Sequence, residues 1–132
     1  MGPQSDIEHV RTLYRLFENR DLEACLAAFH PQIVVEQSPE LPWGGRHEGR
    51  DGLGEFLLKL AGTIDSSLTI EQIYSAGDKV VQTGRTAGTV LATGAEFDIP
   101  EVHILTMSDG LVIRFEAFID TPTMLATLAD GG

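Results

Sequence analysis

Residues 101–120 read EVHILTMSDGLVIRFEAFID and predict a long β-hairpin. Two runs of β-branched, aromatic and other apolar side chains meet at Asp109-Gly110, and an Asp-Gly pair between such runs is a strong hairpin signal. Glu101 and His103 lie on the first run, and Asp120 ends the second. The hairpin therefore predicts a sheet and also the titratable groups that this sheet could present to a ligand.

Two turn lengths are compatible with this hairpin, and they orient His103 differently. A two-residue loop of Asp109 and Gly110 sets His103 opposite Glu116. A three-residue loop, with Gly110 in the left-handed conformation, sets His103 opposite Phe115. A one-residue slip exchanges the two faces of a strand, and the three-residue loop separates polar from apolar side chains more cleanly. We therefore favour the three-residue loop, whose inner face would hold Ile99, Glu101, His103, Leu105, Ile113, Phe115, Ala117 and Ile119.

Length and composition indicate one acidic globular domain. The chain has 132 residues, with 9 Lys and Arg against 20 Asp and Glu and a net charge of −11. This length supports a single domain with one core, in which we expect residues 1–4 to be disordered and residues 130–132 to form a tail. Because nucleic-acid affinity depends on cationic contacts to phosphate, the charge argues against a nucleic acid or an anionic membrane as partner. No apolar run approaches the ~20 residues of a membrane span, and no signal-peptide pattern opens the chain. With Cys25 as the single cysteine, we expect a cytoplasmic protein without a disulfide or a zinc-type cluster.

Four helices are expected: two before the first strand, one between that strand and the four that follow, and one at the end. Ser5 and Glu8 form a capping-box pattern ahead of the first helix. Asp21 and Asp51 are candidate N-caps of the second and third helices. Pro122 suits the first turn of a last helix.

The rest of the chain reads as strands and one long loop. The loop spans residues 38–49 and contains Trp43, the only tryptophan, and His47, which we expect to be solvated. Gly84 and Gly88 mark places where a long strand could bend. Short glycine-marked connections between the later strands predict an antiparallel meander. The predicted strands are residues 33–37, 68–75, 79–91, 96–107 and 111–119.

This order of elements is an α+β pattern in which helices cover one face of a strongly curved, mostly antiparallel sheet. A sheet that curls over helices encloses a cone-shaped, mostly apolar cavity. Such cavities with a few polar groups are the default ligand sites of proteins.

Four stretches, together with the order of elements, resemble the SnoaL-like polyketide cyclase branch of the nuclear transport factor 2-like superfamily. They are YRLFENRDLEACLAAF (14–29), LPWGGRHEGRDGLGEF (41–56), GRTAGT (84–89) and residues 102–120. The resemblance implies a cystatin-like cone, a homodimer formed through the sheets, no cofactor, and a pocket for a small hydrophobic carbonyl-bearing molecule. The superfamily hosts cyclases, isomerases, dehydratases, epoxide hydrolases and non-catalytic binders, so the fold alone does not specify the activity.

The resemblance also implies roles for particular residues. Asp120 corresponds to the proton-transfer group of SnoaL-like cyclases, and His103 to a histidine close to it. Around them we expect a pocket that is shaped by Tyr14, Phe17, Trp43, Arg85, Glu101 and Phe115. Two related activities fit less well. The base of ketosteroid isomerases falls at Gln37, and the Arg-x-Asp of limonene epoxide hydrolase-like enzymes is here Arg85-Thr86-Ala87, which lacks the Asp.

Each candidate has a structural interpretation as well. Asp120 could simply cap the last helix, since alternation along the strand from Phe115 places it on the outer face. His103 could be a core histidine, and Trp43 either a pocket lid or core. Arg85 could neutralise Glu101 rather than touch a ligand. The sequence thus predicts either a cofactor-independent acid/base enzyme or a non-catalytic binding protein of the same fold.

The outer face of the predicted sheet carries more apolar surface than a monomer usually exposes. Its apolar members are Val102, Ile104, Val112 and Phe118, which lie among Arg114 and Glu116. This surface and the resemblance both lead us to expect a homodimer.

Overall fold

The computed structural model describes residues 2–129, in which four helices lie against one six-stranded sheet. The helices are α1 (Pro3–Glu18), α2 (Leu22–Ala27), α3 (Gly49–Thr63) and α4 (Thr121–Ala129). The strands are β1 (Phe29–Gln37), β2 (Gly45–Glu48), β3 (Ile64–Ala76), β4 (Lys79–Val90), β5 (Glu96–Ser108) and β6 (Leu111–Ile119). Within this range no helix combines the length and the apolar character needed to cross a membrane.

The sheet has the strand order β2-β1-β6-β5-β4-β3 and is curved but not closed. Strands β3 to β6 form the predicted antiparallel meander, and β1 joins β6 in parallel. The predicted α+β class is therefore confirmed. Strand β2 was not predicted; it lies inside the glycine-rich loop and pairs with β1.

The turn of the β5–β6 hairpin has two residues, so the three-residue loop was wrong. Asp109 and Gly110 have φ values of +51° and +78°, which is the type I′ pattern that suits a two-residue hairpin. Ser108 and Leu111 pair on either side of it. An Asp-Gly pair supports this turn because both residues tolerate positive φ.

A bulge in β6 then moves the register by one residue. Met107 pairs with Val112, whereas Thr106 pairs with Arg114, so Ile113 is the extra residue. A bulge of this kind leaves one residue unpaired and bends the strand.

Because of the bulge, His103 lies on the predicted inner face even though the turn length and the residue opposite it differ from the prediction. His103 lies opposite Ala117, and not opposite Glu116 or Phe115. Because the shift from Phe115 to Ala117 is two residues, His103 keeps the face that it was predicted to have. Val112 precedes the bulge and is fully buried at 0% exposure, so its placement on the outer face was wrong.

The helix starts were predicted only in part. A side-chain oxygen of Asp21 accepts a hydrogen bond from the backbone N–H three residues later, as expected. Helix α1 begins at Pro3 without a side-chain cap, which leaves Ser5 inside the helix and the capping box unformed. Residues 3 and 4 are exposed and lie in the first turn of α1, where proline is pre-organised for a helical position. Helix α3 begins at Gly49, so Asp51 lies in its first turn and is not its cap. Residues 130–132 lie outside the described range.

β3 approaches β4 very closely at two glycines, Gly84 and Gly88. A Cβ atom on Gly84 would lie 1.9 Å from the carbonyl oxygen of Thr69, and one on Gly88 would lie 1.9 Å from that of Asp65. No other residue fits these positions, since such distances are far below van der Waals contact. The register of β3 also shifts between Ile70 and Gln72, next to the residue that faces Gly84.

The core lies between the inner face of the sheet and helices α1 and α3. Val10 and Leu13 contribute from α1, and Leu53 and Phe56 from α3. Helix α4 adds Met124, which is fully buried. The core is incomplete beside α1, where a cavity remains.

Candidate functional site

A cavity of about 860 Å³ opens between α1, α3 and the inner face of the curved sheet. Its wall is largely apolar and aromatic, with polar side chains at its mouth and at one internal position. Six residues predicted from the sequence contribute to its lining, namely Tyr14, Phe17, Trp43, Glu101, His103 and Phe115.

The internal polar position is a cluster of Tyr14, Gln82, Glu101 and His103, which we call the polar cluster. The Tyr14 hydroxyl lies 2.8 Å from Nδ1 of His103. Nε2 of Gln82 donates to the Tyr14 hydroxyl at 3.2 Å and to Oε2 of Glu101 at 3.1 Å. Nε2 of His103 lies 3.7 Å from the same Glu101 oxygen. A continuous set of polar contacts therefore joins one helix to two strands.

Strand register explains how these side chains meet. Gln82 on β4 is directly opposite His103 on β5, and Glu101 is two residues before His103. Residues two apart share one face of a strand, so all three side chains point inward. Tyr14 reaches them from α1, whose apolar stripe packs on this face.

His103 is a neutral imidazole in this setting. Burial lowers the pKa of His103 to about 3, because the charged form loses its hydration. Nε2 of Gln82 lies 3.3 Å from Nδ1 of His103, and an amide nitrogen is only a donor. Since the two N–H groups of Gln82 are directed at Tyr14 and Glu101, Nδ1 accepts from the Tyr14 hydroxyl. The ring proton is then on Nε2, which faces Glu101.

Glu101 is the titratable group of the cluster near neutral pH. It is 2% exposed, and burial raises the pKa of Glu101 to about 7, with the Gln82 hydrogen bond opposing this rise. Its Oε1 has no hydrogen-bond partner among residues 2–129. A carboxyl group with a pKa near the operating pH can both accept and give up a proton.

The Tyr14 hydroxyl stays protonated. Burial raises the pKa of Tyr14 well above its ordinary value, and the nearby Glu101 charge acts in the same direction. Tyr14 can therefore hold His103 or meet a ligand as a hydroxyl group, but it does not act as a phenolate.

Asp120 does not contribute to the cavity lining. Its Oδ1 accepts from the backbone N–H of Thr123 at 3.2 Å, and its Oδ2 accepts from the Thr123 hydroxyl at 2.7 Å. It thus caps helix α4. The strand alternation that placed Asp120 on the outer face holds, and the expected proton-transfer residue is not brought to the site.

Arg85 also lies outside the cavity lining. Its Nε is 2.7 Å from Oδ1 of Asp98, and its Nη2 donates to the Asp98 carbonyl oxygen at 3.0 Å. The predicted pairing of Arg85 with Glu101 is wrong, because Gly84 is the residue opposite Glu101, and Arg85 points to the other face.

Trp43 lines the cavity as part of its wall. The side chain is 1% exposed, and its Nε1 donates to Oε1 of Gln37 at 3.0 Å. This placement does not fit a solvent-exposed lid. Strand β2 folds the loop back on β1, which also brings Nε2 of His47 within 3.0 Å of the Gly44 carbonyl oxygen. His47 is half-buried there, and not solvated as predicted.

Gln82 was missed by the sequence reasoning. Every second residue from Val80 to Thr86 is buried, so alternation along β4 could have identified Gln82 as an inward-facing polar side chain. Gln82 is 0% exposed, and its Oε1 has no partner among the described residues. Within residues 2–129 no group of three or more His, Cys, Asp or Glu side chains is arranged to hold a metal ion.

Comparisons with known proteins agree with this architecture. Residues 10–115 match the model of the SnoaL-like domain. An NTF2-like protein of unknown function from Burkholderia pseudomallei has a TM-score of 0.88 at 24% identity, over 97% of this chain and 98% of that one. TerC, co-crystallised with polyporic acid, has a TM-score of 0.87 at 28% identity, over 96% and 99% of the two chains.

A neighbour of lower identity is an epoxide hydrolase. This LEH-like epoxide hydrolase from M. tuberculosis has a TM-score of 0.77 at 18% identity, over 98% of this chain and 92% of that one. No curated protein matches the sequence.

Proposed function

Since the chain belongs to the SnoaL-like domain family, we propose that it is a cofactor-independent acid/base enzyme acting on a small, hydrophobic, carbonyl-bearing molecule. One observation carries the proposal. Glu101 is a buried carboxyl group in the lining of an apolar cavity, with one unpartnered oxygen and a pKa of about 7. Perturbed titratable groups inside a cleft are typical of functional sites.

Glu101 takes the role that the resemblance implied for Asp120. Its ionised form removes a proton from a carbon next to the ligand carbonyl, and the electron pair of that C–H bond moves toward the carbonyl oxygen. Protonated Glu101 then returns the proton to the same or a neighbouring atom. His103 stays neutral and, with Gln82, holds the carboxyl group in position.

The aromatic wall supports a hydrophobic ligand. Tyr14, Phe17, Trp43 and Phe115 line the cavity, and apolar pockets with few polar groups bind ligands of this kind. Polyporic acid was co-crystallised with the neighbour TerC, which makes it a suitable first probe of the cavity.

Epoxide hydrolysis is not favoured by the site. Arg85, the remaining member of the Arg-x-Asp pattern, is engaged by Asp98 outside the cavity lining. The polar cluster contains one carboxyl group, Glu101, and no arginine.

The test is proton exchange on a simple ketone. We would incubate the protein with 2-tetralone in D₂O near neutral pH, and follow deuteration next to the carbonyl by NMR. Wild type should exchange faster than buffer, and Glu101→Gln should lower the enzymatic rate by about 10²–10⁴, the usual effect of losing a general acid or base. Glu96→Gln, an exposed substitution on the same strand, is the matched control and should leave the rate unchanged.

Binding is measured separately from exchange. Trp43 emission should change on titration with 2-tetralone or polyporic acid, because the indole lines the cavity. If the ligands bind and wild type exchanges no faster than buffer, the protein is a non-catalytic binder and the enzyme proposal fails. Native mass spectrometry of freshly purified protein would identify a small molecule that co-purifies with it.

A further inference from the structure

We infer that the ligand of this cavity carries a carboxylate, which lies at the cavity mouth beside Arg11 and Arg15; the inference rests on the cavity being the ligand site proposed above. Both arginines line the cavity and are exposed. They are four residues apart on α1, so they are neighbours on one face of the helix.

These two arginines differ from most cationic side chains of the protein. No carboxylate oxygen of residues 2–129 lies within 4.0 Å of either guanidinium group. Among residues 2–129, the only side-chain hydrogen bond of Arg15 is one of 3.1 Å to the Thr12 hydroxyl. In a chain with 9 cationic residues and a net charge of −11, five are paired with a carboxylate: Arg20, Arg46, Lys79, Arg85 and Arg114.

The acidic residues at the mouth do not cancel this charge. Asp65 and Glu18 also line the cavity, but Asp65 is bridged by Arg20 at 3.4 Å. Of these two acidic residues, only Glu18 is then left to offset the positive charges of Arg11 and Arg15. The mouth is thus locally cationic on an acidic protein, and such a rim attracts an anionic ligand and repels a cationic one.

The inner end of the cavity determines the orientation. A carboxylate beside Glu101 would meet a like charge or force one of the two groups to stay protonated. A neutral carbonyl carries no such penalty there. The ligand is therefore expected to enter with its carbonyl-bearing apolar part first and to leave its carboxylate between the mouth arginines and water.

The test compares two probes that differ only in charge, 6-(2-naphthyl)hexanoate and its primary amide. Calorimetric titration at low salt should show roughly two- to tenfold tighter binding of the carboxylate, since exposed ion pairs contribute little each. High salt should reduce this preference, because exposed charges are screened. In the double variant Arg11→Gln/Arg15→Gln, the ratio of the affinity for the carboxylate to that for the amide should fall close to one, without a change in the affinity for the amide.

A matched double variant controls for net charge. Lys79→Gln/Arg85→Gln removes the same two charges from residues that do not line the cavity, and it should keep the preference. Equal affinity of wild type for both probes, or an unchanged preference in the Arg11/Arg15 variant, overturns the carboxylate inference and leaves the proposed function standing. If neither probe binds wild type, the cavity does not take such ligands, and the inference and the ligand class of the proposed function both fail.

Discussion

The hydroxyl of Tyr14 and Nδ1 of His103 lie 2.8 Å apart, although 89 residues separate them in the chain. Their rings are stacked, with centroids 5.8 Å apart and planes 22° apart. Phe115 contacts the imidazole as well, at a centroid distance of 4.7 Å. His103 therefore packs against two aromatic rings that keep it largely buried and neutral, with one hydroxyl directed at one of its nitrogens.

Tyr14→Phe tests the energetic value of this contact. A typical hydrogen bond contributes about 0.5–1.5 kcal/mol, and an unsatisfied buried acceptor costs about 1–3 kcal/mol. Because Gln82 still reaches Nδ1 of His103, we expect the free energy of unfolding to fall by about 1 kcal/mol in urea titrations. Ser5→Ala, which removes an exposed hydroxyl that does not cap α1, should not lower the free energy of unfolding. Equal stability of the two variants would mean that the Tyr14 hydroxyl contributes nothing.

Substitutions of Asp120 should affect stability and not proton transfer. Replacing an N-cap by Ala costs about 0.5–2 kcal/mol, whereas Asn is as good a cap as Asp. We therefore expect Asp120→Ala to lower the melting temperature and Asp120→Asn to leave it nearly unchanged. Neither variant should slow deuteration of 2-tetralone. If Asp120→Asn slows exchange while its stability is normal, Asp120 has the catalytic role that the resemblance implied.

The sequence predicted the fold well because the fold depends on periodicity. Alternation along β5 and β6 assigned His103 and Glu101 to the inner face, and the structure places them there. The same pattern could not reveal the bulge at Ile113, because a bulge follows from how two strands twist together and not from one local motif. The turn length was consequently wrong while the face assignment was right.

The site was harder to predict because it depends on pairing between distant elements. Gln82 joins the polar cluster only through its register opposite His103, and a single glutamine in a strand is not a motif. Asp120 showed the opposite problem, since a resemblance implied a role that its local geometry does not support. At the end of β6, a difference of one residue in position decides whether a side chain points to the cavity or caps α4.

We propose that the protein is a homodimer through the outer face of the sheet. Phe118 is 51% exposed there, beside Val102, its partner on β5. On the same face, a row of paired apolar and aromatic side chains crosses three neighbouring strands, namely Tyr74, Val81 and Ile104. Light scattering at micromolar concentration should give twice the 14.3 kDa monomer mass.

Phe118→Lys should convert that dimer to a monomer, because it places a charge on the apolar surface. Leu91→Lys changes another exposed apolar residue, which lies in the turn directly after β4, and should leave the mass unchanged. A wild-type mass of 14.3 kDa would contradict the proposed assembly.

Glu101 and His103 should give opposite contributions to the pH dependence of stability. The native pKa of Glu101 is about 7, against an ordinary 4.5, so between these values the native state holds a proton that the unfolded state has lost. Stability from Glu101 therefore falls as pH rises through this window. The native pKa of His103 is about 3, against an ordinary 6.5, so between these values the unfolded state binds the additional proton. Stability from His103 therefore rises with pH.

The two contributions nearly cancel in wild type from pH 4.5 to 6.5, and single substitutions should separate them. Urea titrations at pH 4.5, 5.5 and 6.5 give the free energy of unfolding of each variant relative to wild type, in which the other carboxylates cancel. As pH rises, the free energy of unfolding of Glu101→Gln should increase relative to that of wild type by about 1.4 kcal/mol per pH unit, the slope that one bound proton produces. The free energy of unfolding of His103→Gln should decrease relative to that of wild type by a similar amount per pH unit over the same range. Parallel curves for the three proteins would show that neither group has a shifted pKa, and Glu101 would then lack the property on which its proposed role depends.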